Sequence, residues 1–333
     1  MLDLNKEYAG KNVLITGGLG FIGSNLAEKL VKLGANVFIL DANLPRYGAN
    51  TFNIESIKDK IILDYGDIRD PVVVKRNVAG KDIIFNLAGQ VDHNYSMEDP
   101  HLDIDINCKG HVNILEECRK NNPKCRIIFP GSRFQYGKIA DHDLPVNENH
   151  QLRPLSIYAV NKTAGELYYK AYHDHHGLNT VVFRIGNPYG PKAQIKHSGY
   201  CIVNWFIRKA LQEEDITIFG EGNQLRDYIF IDDLVEAFLI AGVHPKANGK
   251  IYNVSSGTGT QFIEMAEKII ELVGKGKVVK VPWPKNYQNV ETGNFYADIS
   301  KIHYDLDWTP KIKFEEGIKK TIEFYKQNLD KYI

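Results

Sequence analysis

The sequence predicts an α/β protein with a doubly wound parallel sheet and a smaller, mixed α/β lobe toward the C-terminus. Three features of the 333-residue chain predict this architecture: short strands that are apolar throughout, amphipathic helices between them, and a less regular second half with several Gly and Pro residues. Strands form continuous apolar runs where helices cover both faces of a parallel sheet. The chain is also long enough for a second lobe.

The first strand and the helix after it have clear limits. Residues 11–16 form an apolar strand core that Gly17 and Gly18 close. A helix is predicted from Phe21 to Gly34, since glycine readily adopts the left-handed conformation that ends many helices. Apolar residues recur on one face of this helix at the helical period, at Ile22, Leu26, Leu30 and Leu33.

Five more strands and a divided second lobe follow. The predicted strands are residues 36–40, 61–63, 82–85, 126–129 and 251–254, the last of which returns to the sheet. Residues 187–226 contain one helix, and residues 258–333 contain two helical stretches. The smaller lobe is therefore predicted to comprise residues 187–227 plus 258–333, and the sheet domain residues 1–186 plus 228–257.

Composition excludes several classes of partner. Lys plus Arg and Asp plus Glu both number 41, whereas binding to nucleic acids or acidic membranes favours a basic excess. The polar N-terminus lacks the apolar core of a signal peptide, and no apolar run approaches the roughly 20 residues of a membrane span. The four cysteines lack metal-ligand spacing and are expected to be reduced thiols. We therefore expect a cytoplasmic protein without a nucleic-acid or membrane partner.

A glycine motif between the first strand and its helix predicts a dinucleotide site. Gly17, Gly20 and Gly23 enclose Phe21 and Ile22. The first glycine allows the tight turn, the second lets the backbone approach a pyrophosphate, and the third lets helix and strand pack closely. The helix N-terminus then directs free N–H groups at the phosphates. The sheet domain is thus predicted to be a Rossmann-type domain.

The end of the second strand predicts which dinucleotide binds. Asp41 follows Gly23 by eighteen residues, a position from which a carboxylate accepts hydrogen bonds from the ribose hydroxyls and repels a 2′-phosphate. This favours NAD over NADP, although Arg46 lies nearby and would soften the preference. Asp67 and Ile68, after the third strand, are either adenine contacts or a simple turn.

A tyrosine and a lysine four residues apart suggest proton-transfer chemistry. Tyr158 and Lys162 lie on one helical face. A nearby ammonium, helped by a positive nicotinamide, is expected to lower the tyrosine pKa, so that Tyr158 acts as general base or acid. On its own, a tyrosine and a lysine at this spacing equally fit two neighbouring residues on the surface of a helix. Ser132, placed just after an apolar strand, adds a hydroxyl able to hydrogen-bond the reacting oxygen.

Taken in order, these motifs resemble the extended short-chain dehydrogenase/reductase family, specifically its nucleotide-sugar epimerases, dehydratases and reductases. The similarity extends from about residue 10 to residue 326. The matching motifs are Thr16–Gly23, Asn86–Gln90, Ser96, Pro100, Asn107, Ser132, Tyr136–Gly137, Tyr158, Lys162, Arg184, Asn187–Pro191, Phe219–Gly222, Arg226–Tyr228, Asp232–Asp233, Tyr296–Ile299 and Leu306–Pro310.

The resemblance implies roles for these residues and a nucleotide-diphosphate sugar as substrate. It makes Ser132, Tyr158 and Lys162 a catalytic triad that Asn107 helps to order. Cofactor contacts are implied for the glycine motif and for Leu87, Ala88 and Gln90, besides Tyr158 and Lys162. Substrate contacts are implied for Ser96, Asn187 and Arg226, the last through the diphosphate. For Arg226 a salt bridge to Asp227 or Asp233 is the alternative.

Two departures from the family pattern limit the choice of reaction and nucleotide. Dehydratases of the family carry an Asp-Glu pair directly after the Ser or Thr, whereas this chain has Arg133 and Phe134. Arg133 is expected to reach the substrate or to fix a neighbouring carboxylate. A second diphosphate arginine is absent from residues 287–291, where Lys285 is a possible substitute.

Several functions remain open at this stage. The first is an NAD-dependent epimerase acting at C4 through a transient 4-keto sugar. The second is an NAD(P)H-dependent reductase of a nucleotide-linked 4-keto-6-deoxy sugar, and a third is a redox-sensing binding protein. No metal site is predicted: the histidines within residues 173–176 suit the negative end of a helix that starts near Asn161 and ends before Gly177. Family membership also implies a homodimer formed by helices near residues 101–122 and 158–176.

Overall fold

A computed structural model describes residues 2–284 and 291–333. Twelve strands lie in this part of the chain. They are β1 (Asn12–Thr16), β2 (Asn36–Asp41), β3 (Ile61–Tyr65), β4 (Ile83–Asn86), β5 (Arg126–Ser132), β6 (Asn179–Ile185), β7 (Asn187–Tyr189), β8 (Ile216–Phe219), β9 (Leu225–Phe230), β10 (Lys250–Val254), β11 (Gly259–Gln261) and β12 (Val278–Val281).

Seven of these strands form one parallel sheet in the order β3-β2-β1-β4-β5-β6-β10. The chain runs outward from β1 to β3 and then restarts at β4 on the other side. This reversal creates a crevice at the carboxyl ends of β1 and β4, which is where open α/β sheets bind ligands. The predicted doubly wound sheet is confirmed, including the return of residues 251–254 to its edge.

Helices cover both faces of the sheet. They are α1 (Leu4–Tyr8), α2 (Phe21–Lys32), α3 (Pro71–Val78), α4 (Tyr95–Glu98), α5 (Pro100–Ile104), α6 (His111–Asn121), α7 (Ile157–His176), α8 (Ile202–Leu211), α9 (Ile231–Val243), α10 (Phe262–Val273), α11 (Ser300–Leu306) and α12 (Phe314–Asn328), with a π-helical turn at Asp105–Gly110 and 3₁₀ segments at Pro45–Tyr47, Thr51–Lys60, Arg133–Tyr136, Asp141–Asp143, Pro245–Ala247 and Leu329–Lys331.

Alternate strand residues supply two separate cores. Val13 and Ile15 of β1 pack into the cluster on one face, and Leu14 between them packs into the cluster on the other. The same alternation holds in β5, where Ile128 lies on the first side and Phe129 on the second. Burial on both faces explains why these strands are apolar at every position.

The second half of the chain forms two smaller sheets. Strand β9 pairs in parallel with β7 and antiparallel with β11, and β8 pairs in parallel with β12. Two details differ from the sequence predictions. The described part of residues 258–333 has three helices rather than two, because the seven-residue α11 is too short to show a clear period. Helix α7 begins at Ile157, earlier than expected, since Ser156 caps it.

Candidate active site

A cavity of about 600 Å³ opens along the carboxyl ends of the central strands. It extends from the glycine motif after β1, past the ends of β2 and β5, into the region of β7, β8 and β9. Its wall includes most of the predicted site residues: Gly17, Gly20, Phe21, Ile22, Gly23, Asp41, Asp67, Ile68, Leu87, Ala88, Ser132, Arg133, Tyr158, Lys162, Asn187 and Arg226. The topology therefore brings side chains from distant parts of the sequence to one site.

The glycine motif forms a tight turn at the N-terminus of α2. Gly17 has a φ of +71°, and a Cβ there would lie 2.9 Å from the backbone nitrogen of Ala88. A Cβ on Gly23 would overlap the carbonyl oxygen of Gly17. Only glycine fits this close approach of the turn, the helix and the loop after β4, as the spacing predicts.

Asp41 is buried at the end of β2 and faces the cavity. Its two carboxylate oxygens accept hydrogen bonds from the backbone nitrogens of Leu19, at 2.9 Å, and Asn43, at 2.8 Å. Burial raises the pKa of Asp41, and these two hydrogen bonds oppose the rise. The nearby Arg46 packs over the ring of Tyr95, 3.9 Å from its centroid.

Asp67 and Ile68 form the part of the cavity wall that follows β3. Asp67 pairs with Arg69 at 2.7 Å. Burial alone would raise the pKa of the Asp67 carboxyl, but its hydrogen bonds with Arg69 outweigh burial and lower it.

The predicted triad comes together where β5 ends and α7 begins. The hydroxyls of Ser132 and Tyr158 are hydrogen-bonded to each other. Lys162 lies one helical turn further on, with its Nζ 5.8 Å from the Tyr158 ring centroid. That ammonium donates to the carbonyl oxygen of Pro130 at 2.9 Å.

The pKa of Tyr158 in the protein alone differs from the value expected beside a bound cofactor. Burial raises the pKa of Tyr158 to about 12, while its hydrogen bond to Ser132 opposes the rise. Burial likewise lowers the pKa of Lys162 to about 8. The expected lowering of the Tyr158 pKa includes the charge of a nicotinamide, and in the protein alone loss of water outweighs the neighbouring charges.

Three of the predicted site residues do not line the cavity and are fully buried: Ser96, Asn107 and Gln90. Ser96 accepts a hydrogen bond from the Tyr158 backbone nitrogen at 3.0 Å and donates to the His93 carbonyl. It therefore holds the start of α7 in place. Gln90 and Asn107 both donate to Asp103, at 2.9 and 3.1 Å.

Two arginines, Arg133 and Arg226, line the cavity. Arg226 pairs with Glu291 at 2.5 Å, so the alternative of a bridge to Asp227 or Asp233 is wrong. Asp227 instead accepts backbone hydrogen bonds near Ser256 and Ala297. Lys285, the suggested substitute for a second arginine, lies outside the described residues.

Arg133 is buried and makes no ion pair with a described residue. Its Nε donates to Asn187 Oδ1 at 2.9 Å and its Nη1 to Thr292 Oγ1 at 3.0 Å. The guanidinium also packs over Phe134, 4.2 Å from the ring centroid. Of its two expected roles, fixing a neighbouring carboxylate is not observed.

Comparisons with known proteins give the same picture over almost the whole chain. The family model described as GDP-mannose 4,6 dehydratase matches residues 14–321. A putative UDP-glucose 4-epimerase of Methanocaldococcus jannaschii is 34% identical over 95% of this chain and 99% of its own.

Among solved structures, an epimerase of Methanothermobacter thermautotrophicus has a TM-score of 0.88 at 30% identity, over 98% of this chain and 96% of its own. The UDP-glucose 4-epimerase of Thermus thermophilus, solved as a complex with NAD, has a TM-score of 0.84 at 29% identity, over 95% and 99%.

The chain belongs to the extended short-chain dehydrogenase/reductase family. This confirms the resemblance and places the protein among the family's nucleotide-sugar epimerases and dehydratases. No group of three or more metal-ligating side chains occurs within residues 2–284 and 291–333. The same residues contain no helix long and apolar enough to cross a membrane.

The site fits the NAD that this family binds. Asn107 Oδ1 is buried without a hydrogen-bond partner among the described residues. It lies with Lys162 Nζ around Gly89, where an added Cβ would be 2.9 Å from the first atom and 3.6 Å from the second. An unpaired acceptor beside a buried ammonium and bare backbone indicates a polar ligand. The glycine turn and Asp41 would hold the adenosine half of the cofactor.

Two members of the site were missed from the sequence. Asp103 is fully buried and also accepts a hydrogen bond from Asn161 Nδ2 at 2.7 Å, so it fixes the first turn of α7. His93 stacks on Phe134, with ring centroids 4.6 Å apart, in the cavity wall. The family motifs include neither side chain, and they do not show which residues either one contacts.

Proposed function

We propose that the protein is an NAD-dependent epimerase that inverts C4 of a nucleotide-diphosphate sugar through a transient 4-keto intermediate. One observation carries the proposal: the hydrogen-bonded pair of Ser132 and Tyr158 lies next to Lys162 in the dinucleotide cavity. Beside it, Arg133 and Phe134 occupy the places where a dehydratase needs an acid and a base. The relatives named as 4-epimerases support the same reaction.

Tyr158 is positioned to move the proton of the 4-hydroxyl. When bound, NAD supplies the hydride acceptor and donor at C4. The Tyr158 oxygen takes the hydroxyl proton as the sugar is oxidised and returns it as the sugar is reduced, and Ser132 holds the reacting oxygen by a hydrogen bond. The positive charges of Lys162 and of a cationic ligand in the cavity stabilise the phenolate form of Tyr158, which burial alone destabilises.

The substrate is proposed to lie across both parts of the chain. Residues 1–186 plus 228–257 would form the NAD-binding domain, and residues 187–227 plus 258–333 the sugar-nucleotide lobe. Arg226 lines the cavity on β9 and carries a charge suited to a diphosphate. Asn187 of β7 is its neighbour in the same small sheet.

The working form is proposed to be a cytoplasmic homodimer. Apolar side chains lie exposed along the outer face of α7: Val160, Leu167 and Tyr168 are 45%, 57% and 37% exposed. Such a stripe on a long helix is typical of an interface. All four cysteines are free and buried, which suits a reducing compartment.

Cofactor retention tests the proposal. We would purify the protein without added nucleotide, denature it, and quantify the nucleotide released. We expect close to one NAD per chain, since the hydride must return to the same substrate molecule. Incubation with UDP-, dTDP-, GDP- and CDP-sugars should then interconvert one C4 pair. An empty site that turns over a 4-keto sugar only with added NADH or NADPH would instead identify a reductase.

A further inference from the structure

Arg133 is a buried cation that forms no ion pair with a described residue. Its two hydrogen-bond acceptors among the described residues, Asn187 Oδ1 and Thr292 Oγ1, are neutral oxygens. Its Nη2 has no hydrogen-bond partner among the described residues, although the residue lines the cavity and is only 5% exposed. Burial and the neighbouring Arg226 lower the pKa of Arg133 to about 9, although the charges of Glu291 and Asp227 oppose this, so the side chain is still charged at neutral pH. A cation in such a place favours an anionic ligand.

The hydroxyl of Tyr228 adds a second unsatisfied donor to this wall. Tyr228 is 4% exposed, lines the cavity, and its hydroxyl has no hydrogen-bond partner among the described residues. In the β7–β9 ladder its Cα pairs with that of Asn187, the residue that accepts from Arg133. Both guanidiniums, of Arg133 and Arg226, act electrostatically on this hydroxyl. Hydrogen-bond donors that lack acceptors, from Arg133 and Tyr228, therefore meet at this part of the cavity wall. A group that only accepts hydrogen bonds would match them.

The position of Arg133 in the chain puts it beside the reacting groups. It directly follows Ser132, whose hydroxyl bonds to Tyr158. Its guanidinium packs on Phe134, whose ring meets the Tyr158 ring edge-on at 6.2 Å. If C4 of a hexose lies at Tyr158, the substituent on C5 is the nearest part of the sugar that can carry a charge. The diphosphate on C1 lies across the ring.

We propose that Arg133, with the Tyr228 hydroxyl as a second donor, binds a carboxylate at C6 of the sugar, so that the substrate is a nucleotide-linked hexuronic acid. This rests on the proposed epimerase function, since it assumes C4 at Tyr158. A planar guanidinium forms paired, charge-assisted hydrogen bonds with a carboxylate. In this proposal Arg226, which pairs with Glu291, contacts the diphosphate of the substrate.

Matched ligands separate the two anions of such a substrate. UDP-glucuronic acid and UDP-glucose differ only at C6, and UDP has no sugar. We would measure the dissociation constants of all three by calorimetry on the NAD-bound protein, as wild type and as Arg133→Gln. We expect wild type to bind UDP-glucuronic acid at least about tenfold more tightly than UDP-glucose, as one bond between charged groups allows. In Arg133→Gln the ratio should fall to near one.

Two further variants keep the result interpretable. Arg133→Lys keeps the positive charge but not the planar, paired donors of the guanidinium. It should give an intermediate ratio of the two dissociation constants. Arg226→Gln should weaken UDP more than Arg133→Gln does, while keeping the preference for the uronic acid. NAD content and melting temperature of each variant establish that it is folded.

Two results would overturn the proposal. The first is a wild-type protein that binds both sugars equally or prefers UDP-glucose. The second is an Arg133→Gln variant that weakens UDP, UDP-glucose and UDP-glucuronic acid by the same factor, which would assign Arg133 to the diphosphate. Binding does not require turnover, so failure of the epimerase assay leaves this ratio unaffected.

Discussion

At the scale of single residues, the site depends on a phenol that is hard to ionise on its own. Burial raises the pKa of Tyr158 to about 12, so in the proposed mechanism a base is generated only when ligands fill the cavity. This prevents a reactive phenolate from forming in the empty site. The proposal makes the hydroxyl of Tyr158, rather than its ring, the group on which turnover depends.

Replacing Tyr158 with Phe should abolish epimerisation while leaving the protein intact. The change removes one oxygen and keeps the ring packed against Phe134. We expect turnover to fall by at least about 100-fold, the usual contribution of a general acid–base group, with NAD content unchanged. Tyr168→Phe, on the exposed side of the same helix, is the matched control. Undiminished turnover in Tyr158→Phe would refute the catalytic assignment.

Sequence patterns predicted the residues of the site better than their partners. The glycine motif and the pair Tyr158 and Lys162 are local, so their spacing is sufficient to find them. The pairing of Arg226 with Glu291 joins residues 65 positions apart, and burial raises the pKa of Tyr158 in the protein alone. Both depend on tertiary contacts that no local pattern contains.

At the scale of elements, α7 is the helix that positions Tyr158 and Lys162. Ser156 caps its start and Gly177, in the left-handed conformation, ends it. Inside the helix Gly165 lies directly on β5: a Cβ there would be 2.6 Å from Cζ of Phe129. The absence of a side chain at residue 165 lets the helix pack close to the strand that carries Ser132.

Gly165→Ala should therefore destabilise the protein, although alanine is the better helix former by about 1 kcal/mol. Overpacking against the buried Phe129 ring costs about 1–3 kcal/mol, and we expect a net loss in the free energy of unfolding. Urea unfolding measures it. Lys29→Ala, at an exposed position of α2, should change stability by less than about 0.5 kcal/mol. A more stable Gly165→Ala variant would show that the helix has room to move.

The elements themselves were predicted to different degrees. Six of the seven strands of the main sheet were expected from their apolar runs, with limits that differ by one to three residues at the ends, whereas β6 was not predicted. The 3₁₀ segment Thr51–Lys60 and the short α11 were not, because their few buried residues follow no regular period. Packing against other parts of the chain decides such segments.

At the scale of the whole molecule, the exposed stripe on α7 predicts self-association. Leu167→Glu places a charge in the middle of this stripe, and we expect the dimer to dissociate into folded monomers. Sedimentation velocity at several concentrations measures the change. Tyr304→Glu alters an equally exposed apolar residue on α11 and should leave the mass unchanged. A wild-type protein that sediments as a monomer would contradict the dimer.

The stability of the whole fold should also depend on His111. This imidazole is fully buried, and burial lowers its pKa to about 3. In the unfolded chain it takes up a proton near pH 6.5, so its contribution is present above that pH and is lost as the pH falls toward 3. Between these limits the slope is up to about 1.4 kcal/mol per pH unit.

The difference between wild type and His111→Gln isolates this effect. Urea unfolding between pH 8 and 5 should show a shallower loss of stability on acidification in the variant. His142→Gln, at an exposed position, is the control. Parallel pH profiles for wild type and His111→Gln would rule out the predicted linkage.

The place of β10 in the sheet has a consequence for how the protein is made. Strand β6 ends at Ile185, but its partner β10 begins only at Lys250. On the ribosome, the nascent Rossmann domain therefore presents β6 as an open edge until the intervening residues have been translated. Unpaired strand edges template aggregation. A chain that stalls before Lys250 is thus the form in which this protein most needs a chaperone.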